Sequence, residues 1–185
     1  MTLRGADNGG CSNEGVNVRQ ITLLDGSIGQ ELVVRAGREP TPMWSTEVLI
    51  EQPELVREVH AEYFRAGATL ATTNTYPVLR DRLEGEGLEN RLEALWATAV
   101  QAACNARDAH GSGRVAGAIG PLVGSYRPEA CPPPEQAEIL YADIVAALAP
   151  SVDLLLFETM SSVAQAEGAL PVSYTHLTLP TTGSV

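Results

Sequence analysis

The sequence predicts an α/β fold in which parallel strands alternate with helices. Four short apolar runs, each followed by turn-forming or polar residues, have the character of strands buried on both faces of a parallel sheet. Segments with apolar residues at helical spacing lie between these runs. This alternation is typical of α/β folds with right-handed crossover connections. Two architectures fit the pattern: an open doubly wound sheet, and a (β/α)8 barrel of which four units would be one half.

The predicted strands lie at 21–24, 70–73, 115–119 and 153–157. Asp25-Gly26 follows the first strand, and Asn74-Thr75-Tyr76 follows the second. Gly120-Pro121 and Glu158-Thr159 follow the other two. Polar and turn-forming residues of these kinds mark the points where buried strands end.

Four helices are predicted, at 53–66, 89–110, 136–148 and 161–170. Proline and glycine residues flank these segments, where helices begin and end: Pro53, Gly67, Gly111 and Pro150. Ser161 or Ser162 is expected to cap the last helix. We expect Pro171 to end it, because proline cannot donate a helical hydrogen bond.

The chain divides into three parts on composition. Residues 1–20 are polar and rich in Gly and Asn, which predicts a disordered leader. Residues 21–170 carry the α/β pattern, and Leu170 is expected to be the last native residue, to within one or two positions. Residues 171–185 are interpreted as a non-native tail, because VSYTHLTLPTT at 172–182 resembles the translation of a sequencing-library adapter. A terminal strand is the alternative interpretation of this uncharged stretch.

Charge and composition exclude several classes of function. The formal net charge of −11 disfavours binding to nucleic acids or anionic lipid surfaces, which are themselves negative. The sequence has no apolar run of about 18 residues and begins without the apolar segment of a secretory signal. Three cysteines without a CxxC pair disfavour a disulfide framework. A cytoplasmic protein with small-molecule substrates is therefore expected.

Polar residues follow every predicted strand, at the edge where parallel α/β folds bind ligands. Two carboxylates there, Asp25 and Glu158, suit an ammonium group. Backbone N–H groups at 26–29 suit a carboxylate, since glycine permits close approach. Together they describe an amino-acid pocket. From the residues alone, however, Asp25-Gly26 is also a common turn dipeptide, and a turn is favoured over a binding role for Asp25.

Five segments taken together resemble the homocysteine S-methyltransferase family. They are LLDGSIGQEL at 23–32, PMWSTEVLIEQPELVREVHAEYFRAGA at 42–68, TTNTY at 72–76, GAIGPLVGSYRP at 117–128 and DLLLFET at 153–159. The resemblance covers roughly residues 21 to 170 and implies a zinc-dependent (β/α)8 barrel. Such an enzyme transfers a methyl group from a sulfonium or quaternary ammonium donor to the sulfur of homocysteine, giving methionine. The chain is then expected to be an N-terminal fragment with about four of eight βα units.

The resemblance also assigns roles to residues. It implies that Asp25 and Glu158 bind the amino group of homocysteine, and that Gly26 and Ser27 bind its carboxylate. Trp44 and Tyr76 would lie near the methyl donor, because aromatic faces attract methylated cations. Packing of a loop and of a barrel rim are the alternative roles for these two aromatic residues.

The metal ligands that the resemblance implies are absent from this sequence. The family holds zinc with one cysteine after an asparagine and two in a Gly-Gly-Cys-Cys, all expected beyond Leu170. The three cysteines of this sequence match none of them: Cys11, Cys104 and Cys131. His60 is interpreted as a packing or hydrogen-bonding residue, and His110 as a helix C-terminal residue favoured by the helix dipole. The chain by itself is therefore expected to be inactive.

Two further hypotheses remain open from the sequence. One is a homocysteine-binding module of a cobalamin-dependent methionine synthase, which would share the fold and the zinc chemistry within a longer chain. The other is a non-catalytic half-barrel that binds an amino acid or assembles as a dimer. A soluble dimer would favour this last hypothesis and aggregation would count against it, whereas the enzyme fragment is expected to expose an unpaired fourth strand that invites aggregation or self-pairing.

Overall fold

The computed structural model describes residues 21–37, 39 and 41–176. The predicted leader at 1–20 and the end of the chain at 177–185 lie outside the described residues. Cys11 therefore lies outside them as well.

Three parallel strands form one sheet: β1 (Leu70–Thr72), β2 (Arg114–Ile119) and β3 (Leu154–Phe157). Their order in the sheet is their order along the chain. Leu70 of β1 lies opposite Arg114 of β2, and Ala116 of β2 lies opposite Leu154 of β3. Because parallel neighbours require crossover connections, each pair is joined through a helix. The predicted mixed α/β fold with parallel strands is confirmed.

The prediction of a buried strand at 21–24 is wrong. Leu24 makes a single parallel bridge to Leu70, and the side chain of Ile21 is 84% exposed. Within the described residues the neighbour of this segment is β1, whose Leu70 N–H donates to the Leu23 carbonyl at 3.2 Å. Leu23 and Leu24 are also 54% and 44% exposed, so neither face of the run is buried, and it remains a bridge at the edge of the sheet.

Seven α-helices occur among the described residues: α1 (Ile28–Ala36), α2 (Ser45–Glu51), α3 (Pro53–Arg65), α4 (Arg80–Leu83), α5 (Leu92–His110), α6 (Pro134–Leu148) and α7 (Val163–His176). Short 3-10 turns lie at Glu89–Arg91, Pro128–Ala130 and Ala149–Ser151. The predictions at 53–66, 89–110 and 136–148 correspond to α3, to the first 3-10 turn with α5, and to α6. Helices α1, α2 and α4 are additions to the predicted pattern.

The helices pack in series over the sheet, α3 against α5, α5 against α6, and α6 against α7. The core contains fully buried aliphatic residues from these helices, such as Val59, Ala99 and Ile144. β2 is the most buried strand, with Val115 and Ile119 completely enclosed. All four residues of β3 are only partly buried, so the sheet is better covered in its middle than at this edge.

The helix predicted at 161–170 corresponds to the first part of α7. The Ser162 hydroxyl accepts the Gln165 N–H at 3.2 Å, which confirms Ser162 as the capping residue. Leu170, the expected last native residue, was also expected to be the last residue of this helix. It lies inside α7 instead, with half of its surface exposed. The helix therefore shows no boundary at Leu170.

The prediction that Pro171 ends the last helix is wrong, because α7 continues to His176 with Pro171 inside it. Ala169 and Val172, on either side of Leu170 and the proline, are buried in the core. Gly168 permits this close approach, since a Cβ there would lie 2.6 Å from the Cβ of Ala137 on α6. Packing against α6 thus outweighs the hydrogen bond that the proline cannot make. The same helix excludes a terminal strand at residues 172–176.

None of the helices in the described ranges combines the length and the apolar character needed to cross a membrane.

Candidate functional site

A cavity of about 490 Å³ opens beside the carboxyl ends of β1 and β3. Five residues predicted from the sequence line it: Gly26, Ser27, Trp44, Tyr76 and Glu158. They come from separate parts of the chain, namely the edge segment, the start of α1, the start of α2, and the ends of β1 and β3. The fold therefore brings together residues that are far apart in the sequence.

A closed set of hydrogen bonds fixes the backbone after β1. The Ala118 N–H donates to Thr73 Oγ1 at 3.0 Å, and the Thr75 hydroxyl donates to the Ala118 carbonyl at 2.6 Å. The two threonine hydroxyls lie 2.7 Å apart, and Thr73 must donate, because the Thr75 proton is already used. Both threonines are buried. This cycle ties the end of β1 to β2 and holds the segment that carries Tyr76.

A second buried pair fixes the segment that carries Trp44. Ser45 donates from its hydroxyl to Asn74 Oδ1 at 2.8 Å, and Asn74 Nδ2 donates back to the Ser45 carbonyl at 3.1 Å. Both residues are buried. Trp44, next to Ser45, is thereby held against the end of β1.

Two aromatic side chains form one wall of the cavity. The ring centroids of Trp44 and Tyr76 are 6.2 Å apart, and the rings meet edge to face at 73°. The Tyr76 hydroxyl and the Ser125 hydroxyl are hydrogen-bonded at 2.5 Å. Small residues permit this packing: a Cβ at Gly29 would overlap the Trp44 ring, and one at Gly120 would lie 2.7 Å from the Tyr76 carbonyl oxygen.

The backbone around the cavity is strained. Within the described residues four non-glycine residues have positive φ, and three of them, Trp44, Tyr126 and Thr159, line the cavity. Each such residue costs on the order of 1–3 kcal/mol and persists where its surroundings enforce it. The coincidence of strain with this cavity is typical of a functional site.

The N-terminus of α1 supplies hydrogen-bond donors to the cavity. Ser27 precedes the helix and makes no side-chain capping bond, and its carbonyl accepts the Glu31 N–H at 3.1 Å. The N–H groups of a helix's first turn have no partner within the helix and favour anions. Gly26 packs tightly here, since a Cβ would overlap the Tyr63 hydroxyl. This end of α1 can accept a carboxylate.

Asp25 differs from the other predicted residues, because its side chain is 1% exposed and does not line the cavity. Its carboxylate accepts the Thr72 N–H at 2.8 Å and the Thr72 hydroxyl at 2.9 Å. The Asp25 N–H donates to the Leu70 carbonyl. Asp25 therefore lies directly behind the cavity surface, joined to β1.

Glu158 carries the carboxylate of the cavity itself. Burial raises the pKa of its carboxyl group above the usual value, and the negative charge of Asp25 raises it further. The two carboxylates are therefore close enough to repel each other. Such a pair is stabilised when a cation binds between or beside them.

Two residues of this region were not assigned to the site by the sequence. His60 of α3 is completely buried, and its Nδ1 lies 3.7 Å from Asp25 Oδ2. Neither of its ring nitrogens has a hydrogen-bond partner within the described part of the chain. Its position four residues after Val56 on the apolar face of α3 indicates burial but not its neighbour. Arg82 of α4 lines the cavity, and no sequence pattern distinguishes it from the exposed Arg80.

The described cysteines do not form a metal centre. Cys104 lies on α5, with its Sγ 3.9 Å from the Ser151 carbonyl, and burial raises the pKa of its thiol. Burial also raises the pKa of the Cys131 thiol. The sequence has no cysteine after Cys131, so the residues that follow Leu170 here supply no thiol ligand. Over the described ranges no group of three or more His, Cys, Asp or Glu side chains could hold a metal ion. The residues present there do not fit a zinc site.

Comparison with known proteins places these features in a family. The sequence model described as homocysteine S-methyltransferase matches residues 22–184, a range that extends past Leu170, where the resemblance was expected to end. The homocysteine S-methyltransferase of Escherichia coli (strain K12) is 40% identical over 116 residues, which are 58% of this chain and 37% of the relative. Betaine–homocysteine S-methyltransferase 1 of Danio rerio is 31% identical over 163 residues, 86% of this chain and 39% of the relative.

A solved structure is similar as well. The crystal structure of the homocysteine methyltransferase MmuM from Escherichia coli, in its metallated form, superposes with a TM-score of 0.76 at 33% identity. The superposition covers 85% of this chain and 60% of that one. The chain thus matches less than two thirds of the length of these relatives.

Proposed function

The chain belongs to the homocysteine S-methyltransferase family, and we propose that it forms the homocysteine-binding part of such an enzyme. The intact enzyme would transfer a methyl group from a sulfonium or quaternary ammonium donor to the homocysteine thiol, giving methionine. The observation that carries the proposal is the meeting of Gly26, Ser27, Trp44, Tyr76 and Glu158 around one cavity. The fold proposed for the intact domain is a (β/α)8 barrel, of which residues 21–170 supply about half.

The binding of homocysteine follows from the charges in the cavity. Glu158 is proposed to accept hydrogen bonds from the ammonium group, whose positive charge relieves the repulsion between Glu158 and Asp25. The first-turn N–H groups of α1, next to Gly26 and Ser27, are proposed to hold the carboxylate. Asp25 acts from behind the surface, through its charge and through its bonds to Thr72. The amino acid would thus be held at both ends, leaving its thiol free to react.

The methyl donor is proposed to lie against the aromatic wall. Trp44 and Tyr76 present π faces that attract a methylated cation, with about 0.5–2 kcal/mol for each favourable contact. The buried bonds behind these residues hold the wall in place before the donor binds. This fixed position would orient the donor's methyl group toward the thiol.

Zinc enters the proposal through residues outside the described part of the chain. We propose that the three family cysteines lie beyond Leu170 in the natural protein and that residues 171–185 are a foreign tail. Amplifying the gene from within the codons for 21–32 and sequencing past codon 170 tests both points. An open frame that reaches an Asn-Cys and a Gly-Gly-Cys-Cys is expected. A frame that encodes 172–185 and then stops would contradict them.

A cytoplasmic location and small-molecule partners remain predictions from the sequence.

The homocysteine-binding role is tested by calorimetry of L-homocysteine with the 185-residue chain under reducing conditions. We expect Glu158→Gln to weaken binding at least roughly tenfold, because a hydrogen bond to a charged group contributes about 1.5–3 kcal/mol. Glu129→Gln, a change to an exposed carboxylate near Arg127, is the control. Equal affinities for all three proteins would contradict the proposal.

A further inference from the structure

His60 is enclosed next to the carboxylate of Asp25. It lies on α3, its side chain is completely buried, and its Nδ1 is 3.7 Å from Asp25 Oδ2. Neither of its ring nitrogens has a hydrogen-bond partner within the described ranges. Two unpaired polar atoms in the interior are costly, and an apolar side chain of the same size would avoid that cost. Packing alone therefore does not account for a histidine at this position.

The Asp25 carboxylate has room for a donor from α3. Among the described residues its hydrogen bonds come from Thr72 of β1, the N–H at 2.8 Å from Oδ2 and the hydroxyl at 2.9 Å from Oδ1. A carboxylate offers about four lone-pair positions, so Oδ2 can accept a second donor. His60 is the histidine beside it, on a different element from Thr72. The two residues can thus hold Asp25 between β1 and α3.

The same helix also supports the residue after Asp25. Tyr63 follows His60 by three positions, so the two side chains lie on one side of α3. The Tyr63 hydroxyl packs so closely on Gly26 that a Cβ there would overlap it. This side of α3 therefore contacts both residues at the start of the candidate site.

The neighbouring carboxylate determines which tautomer of His60 is favoured. In a neutral imidazole one nitrogen carries the proton and the other is an acceptor. A proton on Nδ1 would be attracted by the charge of Asp25. A proton on Nε2 would leave the Nδ1 lone pair beside that charge, and a buried N–H without an acceptor in the described part of the chain. The tautomer with its proton on Nδ1 is therefore favoured.

We propose that His60 is a positioning residue for Asp25, whose Oδ2 accepts the His60 Nδ1–H when homocysteine binds. The inference rests on the proposed function, in which Asp25 acts on the ammonium group of homocysteine through its charge. A neutral donor steadies the carboxylate and leaves its negative charge available to the ammonium group. The 3.7 Å separation exceeds a normal N–H···O bond by about 0.5–1 Å, and contacts of this kind often shorten when a substrate binds.

Two substitutions separate the hydrogen bond from the space that the ring fills. His60→Leu removes both nitrogens with little change in volume. His60→Asn has nearly the shape of the leucine variant and keeps an amide donor near the position of Nδ1. It also buries an amide oxygen, so it should be the less stable of the two. His110→Leu is the matched control, since His110 is exposed and stacks on Phe64.

Calorimetry of the 185-residue chain with L-homocysteine under reducing conditions measures the effect. We expect His60→Leu to weaken binding roughly tenfold, the lower end for a hydrogen bond to a charged group. His60→Asn should weaken it less, although urea denaturation should show the asparagine variant to be the less stable protein. The order of affinities would then oppose the order of stabilities. His110→Leu should bind as the wild type does.

Nitrogen NMR of the histidine-labelled chain tests the contact without any ligand. We expect His60 to carry its proton on Nδ1 in the wild type and to lose this preference in Asp25→Asn. A proton on Nε2, with or without one on Nδ1, would overturn the proposal, as would an unchanged His60 spectrum in Asp25→Asn. This measurement also decides the matter if His60→Leu does not fold.

Homocysteine binding distinguishes failure of this inference from failure of the proposed function. If the wild type binds homocysteine and both His60 variants bind it equally well, the positioning role is wrong and the proposed function stands. Affinities that fall in step with stability would show that His60 only maintains the structure, which also overturns the role. A wild-type chain that does not bind homocysteine contradicts the proposed function and the inference together.

Discussion

The middle of the sheet and its edges differ in how completely their polar groups are paired. At the end of β1, Thr73 and Thr75 form a closed hydrogen-bond cycle with β2, and Asn74 is doubly bonded to Ser45. All four side chains are buried. At the edges, the 21–24 segment makes one bridge, and every residue of β3 is partly exposed.

This difference divides the cavity into two kinds of wall. Trp44 and Tyr76 lie on segments that are held by side-chain hydrogen bonds, Ser45 to Asn74 next to Trp44 and Tyr76 to Ser125. Glu158 follows β3, the half-exposed strand, and its carboxyl group is governed by burial and by the charge of Asp25. Substitutions in the middle should therefore change stability, whereas substitutions at the edge should change titration and binding.

The largest effect is expected from Asn74→Ala. The change removes two buried hydrogen bonds and leaves the Ser45 hydroxyl without its acceptor, which should lower the free energy of unfolding by about 2–4 kcal/mol. Urea denaturation measures the loss. Asn105→Ala, which removes an exposed asparagine bonded to Gln101, should change stability by less than about 0.5 kcal/mol. Similar losses in the two variants would remove the distinction between buried and exposed pairs.

Gly29→Ala should lower stability by about 1–3 kcal/mol, because the added methyl group overlaps the Trp44 ring. In a helix without such a neighbour the same change stabilises by about 1 kcal/mol, so the sign of the effect is diagnostic. A shift of Trp44 fluorescence should accompany it. Gly124→Ala is the control, since its nearest atom lies 3.9 Å from the added Cβ. Stabilisation by Gly29→Ala would show that the aromatic wall is loosely packed.

Glu158→Gln should make stability less sensitive to pH. The pKa of Glu158 is raised in the folded chain above its usual value of 4.5, so the folded state binds more protons than the unfolded state between these two values. The wild type should match the Gln variant below pH 4.5 and lose stability relative to it as the pH rises through the raised pKa. Thermal melting of both proteins across this range measures the difference. A constant difference at all pH values would show that the carboxyl group is fully solvated.

Asp25→Asn should change the pKa of Glu158 only in part, which is the smallest of the effects expected here. Removing the Asp25 charge takes away the second cause of the raised Glu158 pKa, which should then fall toward its usual value while burial still holds it above. A carbon-detected NMR titration of Glu158 follows this shift. An unchanged Glu158 pKa would place Asp25 too far away to act on the cavity through its charge.

Sequence periodicity could predict the middle of this fold because its elements are buried as the pattern requires. The run at 115–119 is enclosed on both faces, and α3 turns Val56 and Val59 into the core. The run at 21–24 has an equally apolar composition but lies at an edge, and α7 continues past Leu170 and Pro171 because it is held by α6. Whether another strand or helix packs against a segment depends on the tertiary fold and cannot be predicted from the local sequence.

In the candidate site, too, some residues could be predicted from the local sequence and others depend on the tertiary fold. Gly26, Ser27, Trp44, Tyr76 and Glu158 were identifiable because they follow strands or belong to family motifs. The burial of Asp25 behind the surface depends on Thr72, which lies across a strand pairing. Arg82 could not be identified, because no motif distinguishes it from Arg80 and only the fold places it in the cavity wall.

The most direct test of the proposed homocysteine site is an amide NMR spectrum of the isotope-labelled chain titrated with L-homocysteine. We expect shifts confined to the amides of 26–29 and of Glu158, with those of the α5–α6 surface around Ala147 unchanged. This pattern would place the amino acid between the start of α1 and the end of β3. Shifts absent from 26–29, or centred on the α5–α6 surface, would contradict the proposed site.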